Sequence, residues 1–133
     1  MSHKEISLVS ILRIGTLNLQ KTDREYAMHP SELVSKFPEK PALTIAETGE
    51  SLNFKEWDEF SMRASQLFRS LGLRRGDHIA ILMENDLSFL PICFGAKRSG
   101  LYFTAISYRL QEEEVDYIVS DCEAKLFITT INQ

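Results

Sequence analysis

His78-Ile79-Ala80-Ile81-Leu82-Met83 is a nearly continuous apolar run between two polar segments, Arg74-Arg75-Gly76-Asp77 before it and Glu84-Asn85-Asp86 after it. A run of this length with little polar alternation suits a strand covered on both faces, as in a parallel sheet. The flanking segments supply the covers. Upstream, Trp57, Phe60, Ala64, Leu67, Phe68 and Leu71 recur at helical spacing and predict one apolar stripe over residues 54–71. Asn53 and Glu56 have the capping-box spacing at its start. Gly72 and Leu73 suit a Schellman ending. Downstream, Asp86 is placed to cap a helix running to Ser99, with Phe89, Leu90, Cys93, Phe94 and Ala96 on its apolar face. Pro91 lies later than the favoured first position and predicts an irregular start or a bend.

The same alternation continues in both directions. Residues 101–106 read as a strand, 111–122 as a helix opened by Glu112, Glu113 and Glu114, and 125–129 as a last strand. Before the first long helix, residues 31–37 form a short helical piece stopped by Pro38 and Pro41. Residues 42–46 (ALTIA) form a strand, 47–50 a turn, and 51–53 a returning hairpin arm. Strand and helix therefore alternate through the chain. Right-handed crossovers then predict an α/β fold: a mostly parallel, doubly wound sheet with helices on both faces. Residues 1–28 lack this patterning and read as an arm of unknown role.

The chain has 133 residues, about one ordinary domain at ~150 residues each. An apolar share of 44% with 26% charged residues excludes a disordered tail, a fibre and a low-complexity array. The net charge of −4 argues against a nucleic-acid binder, which needs a broad basic footprint. Cys93 and Cys122 sit in apolar runs and read as buried free thiols, which fits a reducing, cytoplasmic compartment. No apolar run approaches the ~20 residues of a membrane span. Arg13 interrupts the apolar stretch near the start, and no small-residue cleavage signal follows.

The residues name no catalytic, cofactor-binding or metal site. No two glycines make G-x-G, so the dinucleotide fingerprint is absent. Gly95 and Gly100 have the spacing of a phosphate loop, but Leu101-Tyr102 stands where Lys and Ser or Thr are needed, and the segment ends a helix. His3, His29 and His78 are dispersed and have no metal-ligand spacing. Glu84-Asn85-Asp86 follows a strand at the end where α/β sheets bind ligands. A loop with a helix cap is its simplest reading, and a magnesium or phospho-acceptor site of a receiver-like domain is the sharper one. Ser107-Tyr108-Arg109 also follows a strand and is a second loop placed for ligand contact. Tyr102, Phe103, Tyr108 and Tyr117 are spread over a strand, a loop and a helix, which favours packing over a stacking platform.

Several segments together resemble the opening of an adenylate-forming acyl-CoA synthetase. They are FPEKPAL (37–43), LNFKEWDE (52–59), LGLRRGDHIAILMEN (71–85), RSGLY (98–102), and YRL (108–110), followed by the acidic helix start and Tyr117-Ile118-Val119. The variants at 99–102 and 108–110 are closest to the fatty-acyl-CoA ligase branch. The resemblance implies that residues 29–133 are the N-terminal portion of a larger AMP-binding domain. The family's Ser/Thr/Gly-rich phosphate loop, its adenine and ribose motifs and its catalytic Lys have no counterpart here. None of this chain's residues therefore inherits a catalytic, cofactor or metal role.

The resemblance further implies a parent reaction that needs ATP, magnesium and CoA: adenylation of a long-chain fatty acid, then transfer to CoA. The expectation is a fragment, inactive alone, that meets fatty acid only in the full-length enzyme. The alternative is a non-catalytic α/β binding or self-association module. Either way, uncovered apolar faces predict a homo-oligomer, with residues 6–19 as a further contact. Ile79, Ile81, Phe103, Ile106 and Leu126 are expected to be more buried than Lys55, Glu59 and Glu113.

Overall fold

The computed structural model describes residues 31–130. The arm over residues 1–28 lies outside them. Two compact units divide between Asp58 and Glu59.

In the first unit, α1 (Ser31–Val34) is a single turn. β1 (Pro41–Thr44) and β2 (Ser51–Asn53) pair antiparallel. Gly49 (φ 76°) allows the turn between them. The Gly49 N–H donates to Ile45 O (2.8 Å), and the Ile45 N–H donates to Glu50 O (2.9 Å). This hairpin is a sheet of its own. ALTIA is therefore not the first strand of the wound sheet, as the alternation alone suggested. The nearest downstream arm takes its ladder at a lower loop-closure cost than a distant partner.

The long helix α2 (Phe54–Ser70) opens in this unit. The Glu56 N–H donates to Asn53 Oδ1 (2.8 Å), and Asn53 N–H donates to Glu56 Oε2 (2.9 Å), completing the expected capping box. Such a cap stabilises a helix by about 1 kcal/mol. Backbone carbonyls of Lys40 and Pro38 accept from the Phe54 and Lys55 N–H groups.

The second unit holds the rest of α2 and a parallel sheet. Its strands, β3 (His78–Leu82), β4 (Tyr102–Ile106) and β5 (Leu126–Thr129), lie in the order β4-β3-β5. Ile79 pairs with both Phe103 and Leu126. α3 (Phe89–Arg98) joins β3 to β4, and α4 (Glu112–Asp121) joins β4 to β5. The two connections run in opposite directions across the sheet, so right-handed crossovers put α3 and α4 on opposite faces.

Ala64 and Phe68 of α2, Cys93 and Ala96 of α3, and Ile79 and Ile81 of β3 form the core. Burying Phe68, Ile79 and Ile81 contributes about 1.5–3 kcal/mol each. The Leu73 N–H donates to Phe68 O and Gly72 N–H to Arg69 O, with Gly72 at φ 83°. These bonds make the Schellman ending of α2.

Two sequence expectations are corrected. The buried stripe of α2 runs through Phe54, Trp57, Ser61, Ala64, Ser65 and Phe68, while Leu67 and Leu71 are 54% and 56% exposed. Small residues face α3 because the two helices pack closely at Gly95, and hydrogen bonds satisfy the serines. Ser65 Oγ lies 2.8 Å from Ser99 Oγ, and Arg98 donates to Ser61 Oγ. Phe103 is 42% exposed, not core, because β4 is an edge strand. As expected of a helix with Pro91 near its start, α3 begins irregularly: Ser88 precedes it in the αR region with no side-chain cap, and Pro91 falls in the first turn, where a missing N–H is harmless.

Candidate functional site

The chains leaving β3 and β4 depart to opposite faces, so the carboxyl ends of these neighbouring strands flank a switch point. Open α/β sheets bind ligands at such points. The two loops singled out in the sequence are the ones brought there: Glu84-Asn85-Asp86 after β3 and Ser107-Tyr108-Arg109 after β4.

Their local geometry differs. Asp86 Oδ1 accepts from the Ser88 N–H (2.7 Å) and from the Ser88 hydroxyl. It caps the turn that leads into α3, and so takes the simpler of its two readings. Glu84 and Asn85 are exposed beside it. Among the described residues, no three His, Cys, Asp or Glu side chains cluster as a metal-ligand set. In the second loop, Ser107 Oγ accepts from the Arg109 N–H (3.3 Å), and the Arg109 guanidinium lies 5.7 Å from the Tyr108 ring centroid. An exposed guanidinium over a phenol ring offers a planar cationic face for an anion or an aromatic ring.

The remaining candidates lie elsewhere. Gly100 (φ 69°) sits just beyond α3, so residues 95–100 end a helix and do not open one. His78 opens β3 at the opposite edge of the sheet, where its Nε2 is 2.9 Å from Thr104 Oγ1 and its ring packs on Tyr102. Cys93 is buried in the core, and burial pushes its thiol pKa up to about 11, as expected of an inert structural cysteine. Tyr102 and Tyr117 are 66% and 70% exposed, on β4 and α4.

At Asp77, sequence reasoning saw only a turn. Its carboxylate accepts from Lys125 Nζ (2.7 Å) and the Arg74 N–H (2.8 Å). These bonds, led by the Lys125 contact, hold the carboxyl below its ordinary pKa. The Asp77 carbonyl also accepts from Tyr102 N–H at the start of β4. Asp77 thus ties together the amino ends of all three strands and is structural.

A three-stranded parallel sheet flanked by helices, with loops at its carboxyl edge, defines a doubly wound α/β fold. The model of the AMP-binding enzyme family matches residues 31–133, so the chain belongs to that family. It is 31% identical to human long-chain fatty acid transport protein 1 over 96 residues, 72% of this chain and 15% of that protein. It is 29% identical to the long-chain-fatty-acid–CoA ligase FadD13 of Mycobacterium tuberculosis over 91 residues, 68% of this chain and 18% of that one. The inhibitor-bound N-terminal domain of FACL13 from the same organism superposes with a TM-score of 0.71 at 26% identity, over 75% of this chain and 25% of that structure. The chain spans 15–20% of the length of the first curated relatives it matches. Among the described residues, no helix is long and apolar enough to cross a membrane.

Proposed function

We propose that the chain is the opening portion of an ATP-dependent long-chain fatty acid–CoA ligase. The whole enzyme joins a fatty carboxylate to AMP, releases pyrophosphate and passes the acyl group to CoA, with ATP and magnesium as its other requirements. The observation that carries this reading is the family match over residues 31–133. The similarity to a ligase named for long-chain fatty acids supports the substrate class. In this reading the described elements are scaffold, and the 107–109 loop is their contribution to the ligand edge. The free thiols Cys93 and Cys122 support a reducing, cytoplasmic compartment for it.

The chain alone is inactive in this reading. Adenylation builds charge at phosphorus, which needs preorganised donors and cations around the phosphates. Among the described residues no glycine-rich loop opens a helix after a strand. The test is pyrophosphate release with ATP, magnesium, CoA and fatty acids of several lengths. It is run on the chain alone and on the chain extended through the coding sequence after codon 133. Release only by the extended form is expected. Failure of both overturns the ligase reading, and release by the chain alone overturns its inactivity.

A second reading, a self-association module, is favoured by one observation. Tyr102 and Phe103 are 66% and 42% exposed on the unpaired edge of β4, and open edges pair with other strands. Light scattering that shows a homo-oligomer dissociated by Phe103→Lys supports it, and a monomer at high concentration rejects it.

A further inference from the structure

The helices of the second unit carry opposite charges. Residues 60–76 contain no Asp or Glu, and they expose Arg63, Arg69, Arg74 and Arg75. Residues 110–124 contain no Lys or Arg, and they expose Glu112, Glu113, Asp116, Asp121 and Glu123. Glu114 is engaged in its own capping box, where its Oε2 accepts from the Gln111 N–H (2.9 Å). α2 packs with α3 on one face of the sheet, and α4 covers the other. One molecule therefore presents a basic side and an acidic side in opposite directions.

Each side also has an apolar centre. On α2, Leu67 follows Arg63 by four residues and shares its face. Leu67 is 54% exposed, and Leu71, just past the helix, is 56% exposed. Arg69 in the last turn of α2, with Arg74 beyond the Schellman ending, flanks these leucines. On α4, Glu113, Tyr117 and Asp121 are spaced by four and share one face. Tyr117, between the two acids, is 70% exposed. A phenol ring among carboxylates and a leucine pair among guanidiniums match in charge and in apolarity. Together they have the anatomy of an interface with an apolar centre and a polar rim.

We propose that the α4 face of one copy docks on the α2 face of a second copy. Tyr117 then covers Leu67 and Leu71, and Glu113, Asp116 and Asp121 meet Arg63, Arg69 and Arg74. Charge complementarity selects this occupant, because the acidic face that fits the cations belongs to the chain itself. Like charges across an interface repel, which disfavours a symmetric dimer through either face alone. The two faces differ and point in opposite directions, so the contact is head-to-tail and builds open chains. The inference is independent of the ligase reading and of pairing at the β4 edge. Its contacts include neither the carboxyl-edge loops nor Phe103, and its test uses neither fatty acid nor nucleotide.

The experiment is sedimentation velocity on the chain over a range of concentrations, at low and at high salt. At low salt the average mass should keep rising with concentration past the dimer, and high salt should return it to the monomer. Two charge reversals locate the faces: Arg63→Glu/Arg69→Glu/Arg74→Glu on α2 and its turn, and Glu113→Lys/Asp116→Lys/Asp121→Lys on α4. Each alone should weaken association about a hundredfold, because like charges then meet. Both sets in one chain restore the complementarity at an unchanged net charge of −4, and this variant should associate as the parent does. Phe103→Lys should leave the chains intact. If circular dichroism shows that a reversed variant is unfolded, Arg63→Gln/Arg69→Gln/Arg74→Gln takes its place and should also weaken association. A parent that stays monomeric at low salt, a mass that stops at the dimer, unchanged association of a folded single-face variant, or a folded combined variant that stays monomeric would overturn the proposal.

Discussion

Gly95 of α3 lies so close to Ala64 of α2 that a Cβ on residue 95 would stand 2.6 Å from the Ala64 Cβ and 3.0 Å from the Ser61 carbonyl oxygen. No flexible side chain can yield there, because one obstacle is a Cβ and the other is backbone. Overpacking of this kind costs about 1–3 kcal/mol, and the helix preference of Ala over Gly offsets up to about 1 kcal/mol. Gly95→Ala should therefore lose roughly 1 kcal/mol, and Gly95→Val about 3 kcal/mol. Urea denaturation of the two variants checks this, and an Ala variant more stable than the parent would show that the helices can separate freely.

The same contact decides which face of α2 is core. Leu67 belongs to the apolar stripe read from the sequence, yet it is 54% exposed, whereas Ser61 and Ser65 are 0% and 5% exposed. Leu67→Ala should change stability by no more than about 0.5 kcal/mol. Ile81→Ala, at a position with no exposure, should cost about 2–5 kcal/mol. Equal losses at both positions, measured by the same denaturation, would contradict this assignment.

What was legible in the sequence was local. The β3 run, the Asn53–Glu56 box and the Gly72 ending each depend on neighbours within a few residues, and each is present as read. The separate hairpin, the serine face of α2 and the exposure of Phe103 depend on which element lies alongside, and spacing holds no such information. The 84–86 and 107–109 loops were found because both follow strands, but only the strand order puts them at one switch point.

The two cysteines should differ in reactivity. Cys93 is 5% exposed, and desolvation raises its thiol pKa to about 11. Cys122 is half-buried at the end of α4, its thiol bonded to Val119 O. The thiolate is the reactive form, so a disulfide reagent at neutral pH should label one thiol quickly and the other only as the chain opens. Cys122→Ser should abolish the fast phase. Persistence of that phase in the variant would mean that the Cys93 pocket opens without unfolding.

The Lys125–Asp77 pair joins the turn before β3 to the residue before β5. Lys125 donates to Asp77 Oδ1, and the Arg74 N–H donates to the other carboxylate oxygen. Both bonds favour the ionised form and lower the Asp77 pKa from its ordinary value of 3.8. In the unfolded chain Asp77 takes up its proton near that ordinary value, and in the folded chain it does so at lower pH. Over this window the unfolded state binds more protons, so stability rises with pH. The contribution is fully present above 3.8 and is lost as pH falls through the folded value. Asp77→Asn removes this titration. Its stability should fall less than the parent's as acid is added below 3.8, with the difference between the two constant at higher pH. High salt should shrink the gap, because the lysine side chain is 63% exposed and exposed pairs are screened. Denaturation midpoints of the parent and variant across the acid range provide the check, and parallel pH profiles would show that Asp77 is not a source of the acid sensitivity.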